Sequence, residues 1–554
     1  MSTRNVTATL IAVGILWICL FSGLSAIGLV GPDEPRYAWI ARNMAETGNW
    51  TTPILYGQPW FEKPALYYWA GAIGFKLLNS QEWAARLPSA LAALTAALAM
   101  GWLAWRRYGA ATAWAVLLIF PSCVGVITFS RAASPDMLFA ASLALALCCA
   151  ARVIEFNDSQ SSNEDGRGPT DRIALMFLGS WLGVATLAKG PAAILLAGGS
   201  VVLWALATRR WRTAFRMLHP LSLLSFALVA LPWYVLCSLR NPVFFRTFIL
   251  QHNFGRYFTP EFHHRQPFWF FAPVIVIGLL PWPVLLASVF LDGRRIWREN
   301  SYGNSLGFFV ACWAIFPLLF FSFSQSMLPG YVLPAIAPLA LLMGRSFMRA
   351  SEQAHRVARW LSVGTGALWF AVCASGSHWL HRLPDTALGH AEARQLTLHF
   401  LIAGIVAGTA MIALGAFRKP VAALIVSSLF VAELTLFANR VVLPKIDPYI
   451  SAKALARIVP HPLPTSPRGV PLIGVNRNCE YGVRFYRPDL EFTDWTAQTA
   501  PVSASSFSGY ALVGQEGKSW LSQVQSEDRH FVRGFSSGCW IEFLLPSNLS
   551  SNKR

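Results

Sequence analysis

Gly31-Pro32-Asp33-Glu34-Pro35-Arg36-Tyr37 follows at once on an apolar run from about Ala8 to Val30. About twenty apolar residues suffice to cross a bilayer, so the run reads as a span and the charged stretch as its exit into water. Two prolines hold the backbone extended there. Two carboxylates, a guanidinium and a phenol then gather at the membrane edge. A set of this kind can bind a phosphate and a sugar while their lipid tails stay in the membrane.

The composition agrees with a chain built around such an edge. Hydrophobic residues make up 55% of the 554 and charged ones only 13%, against about 25% charged in soluble domains. Mean hydropathy is +0.45. The fold class is therefore a polytopic α-helical membrane protein, and its 23 Trp and 38 Phe suit interfacial aromatic belts. The net charge of +18 comes from short basic clusters between apolar runs, the pattern of topology signals beside anionic lipid. No basic patch on a recognition fold accompanies it, so nucleic acid is not an expected partner. Seven of the nine cysteines fall in apolar runs and read as small core residues. Cys479 and Cys539 lie in the polar C-terminal part, where a disulfide and two free thiols are both open. The first apolar run lacks a cleavage site before its end and reads as a retained signal-anchor.

A window of about 19 residues places spans at 8–30, 87–105, 111–129, 135–154, 173–188, 190–207, 219–238, 267–291, 304–322, 329–346, 359–376, 396–416 and 421–437. Arg106-Arg107, Arg209-Arg210-Trp211-Arg212, Arg294-Arg295, Arg345 with Arg349, and Arg418-Lys419 fall in one set of connections. Those loops and the N-terminus are expected in the cytoplasm, and thirteen spans then leave the C-terminus outside. Two outer segments, about 31–86 and 239–266, carry helical periodicity at 34–47 and 64–79 and in the Phe-rich start of the second, all expected along the interface. Residues 1–437 thus form a transmembrane domain. Residues 438–554 alternate short apolar runs (470–475, 510–514, 540–545) with helical stretches (451–458, 517–524), which predicts a small outer α/β domain.

Ionisable groups at a membrane edge are costly unless paired or functional, and four clusters sit on the predicted outer side. These are Asp33-Glu34 with Arg36-Tyr37, Glu62-Lys63, Ser134-Pro135-Asp136, and His263-His264-Arg265, with Lys189-Gly190-Pro191 near them in topology. Each has an ordinary reading. Asp33, Glu34 and Asp136 suit helix N-termini, Arg36 and Lys63 can snorkel, and the histidines can be plain loop residues. Convergence of acids and bases on one side favours a site. Glu62 beside His264 would make a divalent metal such as zinc possible.

Pro32-Asp33-Glu34-Pro35-Arg36-Tyr37, Phe61-Glu62-Lys63-Pro64, Pro135-Asp136 and Ala188-Lys189-Gly190-Pro191 together resemble the lipid A aminoarabinose transferase family, within the C-class of membrane glycosyltransferases. The resemblance extends over nearly the whole chain, although Pro35 stands where family members carry Thr. It implies transfer of 4-amino-4-deoxy-L-arabinose from undecaprenyl phosphate to lipid A phosphates, with inversion, at the outer face of a Gram-negative inner membrane. Asp33 would be the principal active-site acid and Asp136 a second. Arg36, Tyr37, Lys63, Lys189, Arg265 and Tyr331 would hold substrate or phosphate. A hydroxyl acceptor would need Asp33 as general base. An ionised phosphate acceptor would not, leaving Asp33 to position the acceptor or pair with the sugar's amine. A monomer among membrane lipids is expected. The alternatives are a related transferase acting on a protein or glycan hydroxyl, a lipid or sugar transporter, which would show internal repeats and midplane polar groups, and an envelope scaffold.

Overall fold

The structure is a computed structural model that describes residues 3–159, 169–258, 265–301, 306–353, 355–380, 390–459, 470–496, 498, 510–517, 519–520, 529–536 and 539–544. The first helix, α1 (Thr3–Leu20), is followed by the outer segment that carries the charged stretch: α2 (Asp33–Thr47), a hairpin of β1 (Ile54–Leu55) and β2 (Gln58–Pro59), and α3 (Leu66–Leu77). The bundle continues with α4 (Gln81–Tyr108), α5 (Ala110–Ile119), α6 (Val124–Ser130), α7 (Pro135–Ser159), α8 (Pro169–Lys189), α9 (Ala192–Thr208), α10 (Trp211–Arg216) and α11 (Pro220–Arg240). The second outer segment is a π-helix (Arg246–Gly255) running into α12 (Arg256–Phe258). Asn253 donates to the Phe248 carbonyl there at 2.7 Å, across the wide π turn. The simple interfacial helix expected over 239–266 is thus a π-helix, a form frequent at functional sites. The rest of the bundle is α13 (Phe271–Gly278), α14 (Leu286–Ser301), α15 (Leu306–Ser322), α16 (Leu333–Gln353), α17 (His355–Leu380), α18 (His390–Ala416) and α19 (Pro420–Phe437).

Among the described residues, eight helices are long and apolar enough to cross a membrane, or ten if each of two bent pairs is one span. The bends revise two of the expected spans. The 111–129 run turns by 64° between α5 and α6, and the 267–291 run by 110° between α13 and α14. Pro121, Pro281 and Pro283 interrupt the helical bonding at these breaks. Three more expected spans coincide with the shorter apolar helices Thr9–Leu20, Ala192–Thr208 and Leu306–Ser322, below the ~20 residues that crossing usually takes. Among the described residues, eight to ten helices pass by length and composition, and with the three shorter ones each of the thirteen runs read from hydropathy has a helical counterpart. The central helix is α16, whose apolar window is 94% buried. Elsewhere small residues let helices close on one another. Ala93, Ala97 and Ala104 of α4 are fully buried, and a side chain on Gly179 of α8 would fall on the Ser222 carbonyl of α11.

Beyond α19 the helical path runs on through a π turn (Ala438–Val442) into α20 (Leu443–Ile450), so the boundary read at 438 lies inside one continuous helical run. There follow α21 (Lys453–Ile458), β3 (Val470–Ile473), α22 (Arg477–Tyr486), β4 (Phe492–Trp495), β5 (Tyr510–Gly514), β6 (Arg529–Ser536) and β7 (Cys539–Leu544). The strands form one sheet in the order β4-β3-β5-β7-β6, parallel across the first three and antiparallel across the last three. An α/β arrangement was expected, but α22, β4 and β6 were not. Most of the helix expected over 517–524 lies outside the described residues. Cys479 is disulfide-bonded, whereas the seven cysteines in apolar runs are free.

One buried ion pair joins the outer segment to the bundle. Arg86, on the second turn of α4, donates to the carbonyls of Leu24 at 2.8 Å, Ile27 at 2.9 Å and Gly28 at 2.7 Å. It also reaches both oxygens of Glu34, at 3.1 and 2.7 Å. Glu34 in turn accepts the Val30 N–H at 2.8 Å and the Ala133 N–H at 2.7 Å. Glu34 therefore does not cap α2. It ties the exit of α1, the start of α2 and the turn before α7 to α4. Removing one partner of a buried pair strands the other charge, at a cost of about 3–5 kcal/mol. Glu34→Ala should accordingly lower the thermal midpoint of the detergent-solubilised protein markedly, and Glu34→Ala with Arg86→Met should recover part of that loss.

Candidate active site

Asp33 and Asp136 arrive at the same end of the bundle by different local rules. Asp33 opens α2 directly after Pro32, which offers no side-chain cap, so its carboxylate sits in the first turn where the helix dipole favours it. Asp136 follows Pro135 at the start of α7, and its N–H reaches the Ser134 hydroxyl at 3.4 Å. Gly190 ends α8 with a φ of +84°, and a side chain there would press on Phe248 at 2.9 Å. That turn delivers Lys189, whose ammonium pairs with Asp136 and lies 4.7 Å from the centre of the Tyr331 ring. The weak Pro-Asp and Lys-Gly-Pro motifs thus meet in space.

Around Asp33 the charges interlock. The Arg36 guanidinium bonds Asp33 at 2.5 Å and Glu62 at 2.9 Å. Glu62 also meets Lys63 at 3.2 Å and Arg256 at 3.7 Å. Burial alone would raise the Glu62 carboxyl, but the charges of Lys63, Arg36 and Arg256 and the Lys63 hydrogen bond bring it down to about 2. Asp33 moves the other way. Desolvation in the cleft is the largest influence and raises it; Arg36 and Lys63 oppose this, and Glu62 and Asp136 add to it. Two nearby carboxylates thus hold different proton affinities, a common property of functional sites.

A cavity of about 500 Å³ opens beside this network. Glu62, Lys63, Lys189, His252, Asn253 and Arg256 line it together with the apolar Leu195, Phe258, Phe320 and Phe321, and with Tyr331. Cations and hydrocarbon in one cavity suit a phosphate attached to an apolar chain.

Of the residues singled out from sequence, Glu62, Lys63, Lys189 and Tyr331 line the cavity. Arg36 reaches it through Glu62, Asp33 through Arg36, and Asp136 through Lys189. Tyr37 is buried under Arg36 and packs on Tyr67 and Tyr68, away from a phosphate-binding position. Arg265 is exposed and does not line the cavity. His263 and His264 lie outside the described residues. The metal expected between Glu62 and His264 involves a residue outside the described ones; Glu62 itself pairs with Arg36, Lys63 and Arg256, and no group of three or more His, Cys, Asp and Glu able to hold a metal occurs among the described residues. The aromatic part of the lining is Tyr257, Phe258, Phe320, Phe321 and Tyr331. Sequence reasoning passed over His252, Asn253 and Arg256 because their segment carried no motif. The run of polar groups inside an otherwise apolar segment was the available signal.

With this geometry in hand, the architecture can be placed. Residues 6–248 match the family described as dolichyl-phosphate-mannose-protein mannosyltransferase. Two curated relatives bear the name undecaprenyl phosphate-alpha-4-amino-4-deoxy-L-arabinose arabinosyl transferase. That of Edwardsiella ictaluri is 32% identical over 59% of this chain and 57% of its own length. The second such enzyme of Sodalis glossinidius is 34% identical over 64% of this chain and 62% of its own length. The chain thus spans about three-fifths of the curated relatives it matches. Crystal structures of ArnT from Cupriavidus metallidurans superpose over 100% of this chain. The form bound to undecaprenyl phosphate covers 99% of that protein at 22% identity, with a TM-score of 0.77. The apo form gives 0.78 at 21% identity. The fold is that of these ArnT crystal structures. The resemblance read from the motifs is borne out, by name in the relatives and by architecture in the crystal structures.

The Lys189–Asp136 pair gives a direct test of the site's construction. Lys189→Met strands a partly buried carboxylate and should cost about 3 kcal/mol, read as a lowered thermal midpoint. Adding Asp136→Asn should restore most of it.

Proposed function

We propose that this protein transfers 4-amino-4-deoxy-L-arabinose from undecaprenyl phosphate to phosphate groups of lipid A. The observation that carries the reading is one cavity lined both by the cations Lys63, Lys189 and Arg256 and by apolar side chains, joined to Asp33 through Glu62 and Arg36. It is supported by the names of the curated relatives and by the undecaprenyl phosphate in a crystal structure of the same fold. Lys63 and Arg256 hold the polyprenyl phosphate. As the bond from the anomeric carbon to its phosphate oxygen breaks, the electron pair leaves with that oxygen and these cations stabilise the charge. A lipid A phosphate oxygen attacks the opposite face and inverts the centre. Because this nucleophile is already ionised, proton removal is not the main task, and Asp33 aligns the acceptor or pairs with the ammonium of the sugar.

The site faces the periplasm in this reading, with the N-terminus in the cytoplasm and the C-terminal domain outside. The charged network at the other end supports that orientation. Arg345 lies 4.9 Å from the Tyr108 ring and pairs with Glu299, and Arg216 pairs with Asp171, so arginine-rich connections cluster away from Asp33. Such clusters mark the cytoplasmic side.

Mass spectrometry of lipid A from cells with and without the protein tests the activity. The aminoarabinose adduct should appear with the wild type and fall at least about tenfold with Asp33→Asn, the loss of one charge-complementing group. An unchanged lipid A would overturn the proposal and leave the hydroxyl-acceptor reading, which the mannosyltransferase match favours. The pH dependence has a defined sign. Activity that needs ionised Asp33 falls as pH drops through its raised pKa. Glu62→Gln removes a charge that raises Asp33, so the acidic limb of kcat/KM should move to lower pH. Lys63→Met removes one that lowers it and should move the limb to higher pH.

A further inference from the structure

The C-terminal part of the chain meets the outer segment through α20, α21 and α22, and α22 is the one that reaches the charged network. The contacts with the outer segment begin at the backbone that leads into Asp33. The Gly28 N–H donates to Asp447 at 2.7 Å, and the Leu29 N–H donates to the Tyr486 hydroxyl at 2.8 Å. Val30 forms a bridge with Ser451. Tyr486 also donates to Glu82 at 2.9 Å, and Lys453 pairs with the same carboxylate at 2.7 Å. On the far side of α2, Arg42 donates to the Phe485 carbonyl at 2.9 Å. The C-terminal part is thereby docked against the chain leading into α2, the start of α4 and α2 itself.

One side chain of α22 faces the charged network. The Arg36 guanidinium has three aromatic neighbours, with ring centres at 5.1 Å for Tyr37, 5.2 Å for Trp60 and 5.8 Å for Tyr481. Tyr37 and Trp60 belong to the outer segment, whereas Tyr481 comes from α22 in the C-terminal domain. Tyr481 is held in turn beside Tyr56 of the hairpin, ring centres 6.1 Å apart. A guanidinium against aromatic faces is attracted and restrained in direction. The restraint matters because a single Arg36 nitrogen serves both Asp33 and Glu62.

We propose that Tyr481 is a positioning residue of the active site, contributed by the C-terminal domain, whose ring closes the aromatic cage that aims Arg36 at Asp33 and Glu62. The domain is then a working part of the catalytic unit. The inference rests on the transferase reading for its assay, but its outcome is separable. If the wild type transfers no aminoarabinose, the reading fails. If the wild type is active and Tyr481 variants behave like it, the inference fails.

The experiment uses the full-length protein in nanodiscs with lipid-linked aminoarabinose and lipid A. Tyr481→Ala should lower kcat about fivefold, the scale of one partly exposed cation–π contact, with KM for the donor little changed. Tyr481→Phe keeps the ring and should stay close to the wild type. In an Arg36→Lys background, Tyr481→Ala should have no further effect, because the two residues act through one contact. A wild-type kcat for Tyr481→Ala overturns the proposal. So does equal damage from Phe and Ala, or an undiminished Ala effect in the Arg36→Lys background. Tyr481 is half-buried, and an unchanged thermal midpoint checks that each variant remains folded.

Discussion

The buried pair of Glu34 and Arg86 is the constraint on which the outer half of the molecule depends. Charges removed from water are tolerated only when fully compensated, and here the compensation is shared among several chain segments. Arg86 gathers three carbonyls from the exit of α1, and Glu34 takes amides from that exit and from the turn before α7. Because Asp33 precedes Glu34 and Asp136 follows that turn by only a few residues, the pair also sets the positions of both candidate acids. Adjacent residues in one motif therefore divide the work. Glu34 builds the site, and Asp33 joins its charged network through Arg36.

The same economy governs the carboxylates within the site. Glu62 stands among Arg36, Lys63 and Arg256 and stays ionised far into acid. Asp33 shares only part of that positive charge and is raised by the cleft. Glu62, ionised at neutral pH, holds Arg36, Lys63 and Arg256 in formation. Under the proposed function, an incoming phosphate would meet cations already fixed in place, which lowers the ordering cost of binding, and the apolar lining would add attraction for a lipid chain.

Much of this was legible in the chain before any tertiary contact was known. Hydropathy located every apolar element, and Pro32 with two acids located the start of α2 within a residue. The thirteen windows missed the bends at Pro121 and Pro281, because a hydropathy average counts apolar residues and ignores broken helical bonding. The π-helix over 246–255 carries no motif, only a run of polar groups within an apolar segment, so His252 and Arg256 went unnoticed. Tyr37 was expected at phosphate on its proximity in sequence to Arg36. On a helix, neighbouring positions point about 100° apart, and the ring turned into the core instead.

The sequence by itself determined that this is a membrane protein, that its acids and bases collect at one edge of the bilayer, and that the Asp33 motif marks that edge. Those conclusions rest on local properties: the length of apolar runs, the positions of proline, and the cost of placing charge in hydrocarbon. Tertiary structure alone decided that Glu34 is a tether, that Lys189 meets Asp136, and that Tyr481, over four hundred residues away, stands against Arg36. Pairings between distant segments depend on how helices pack and where turns aim the chain, and no local pattern encodes them.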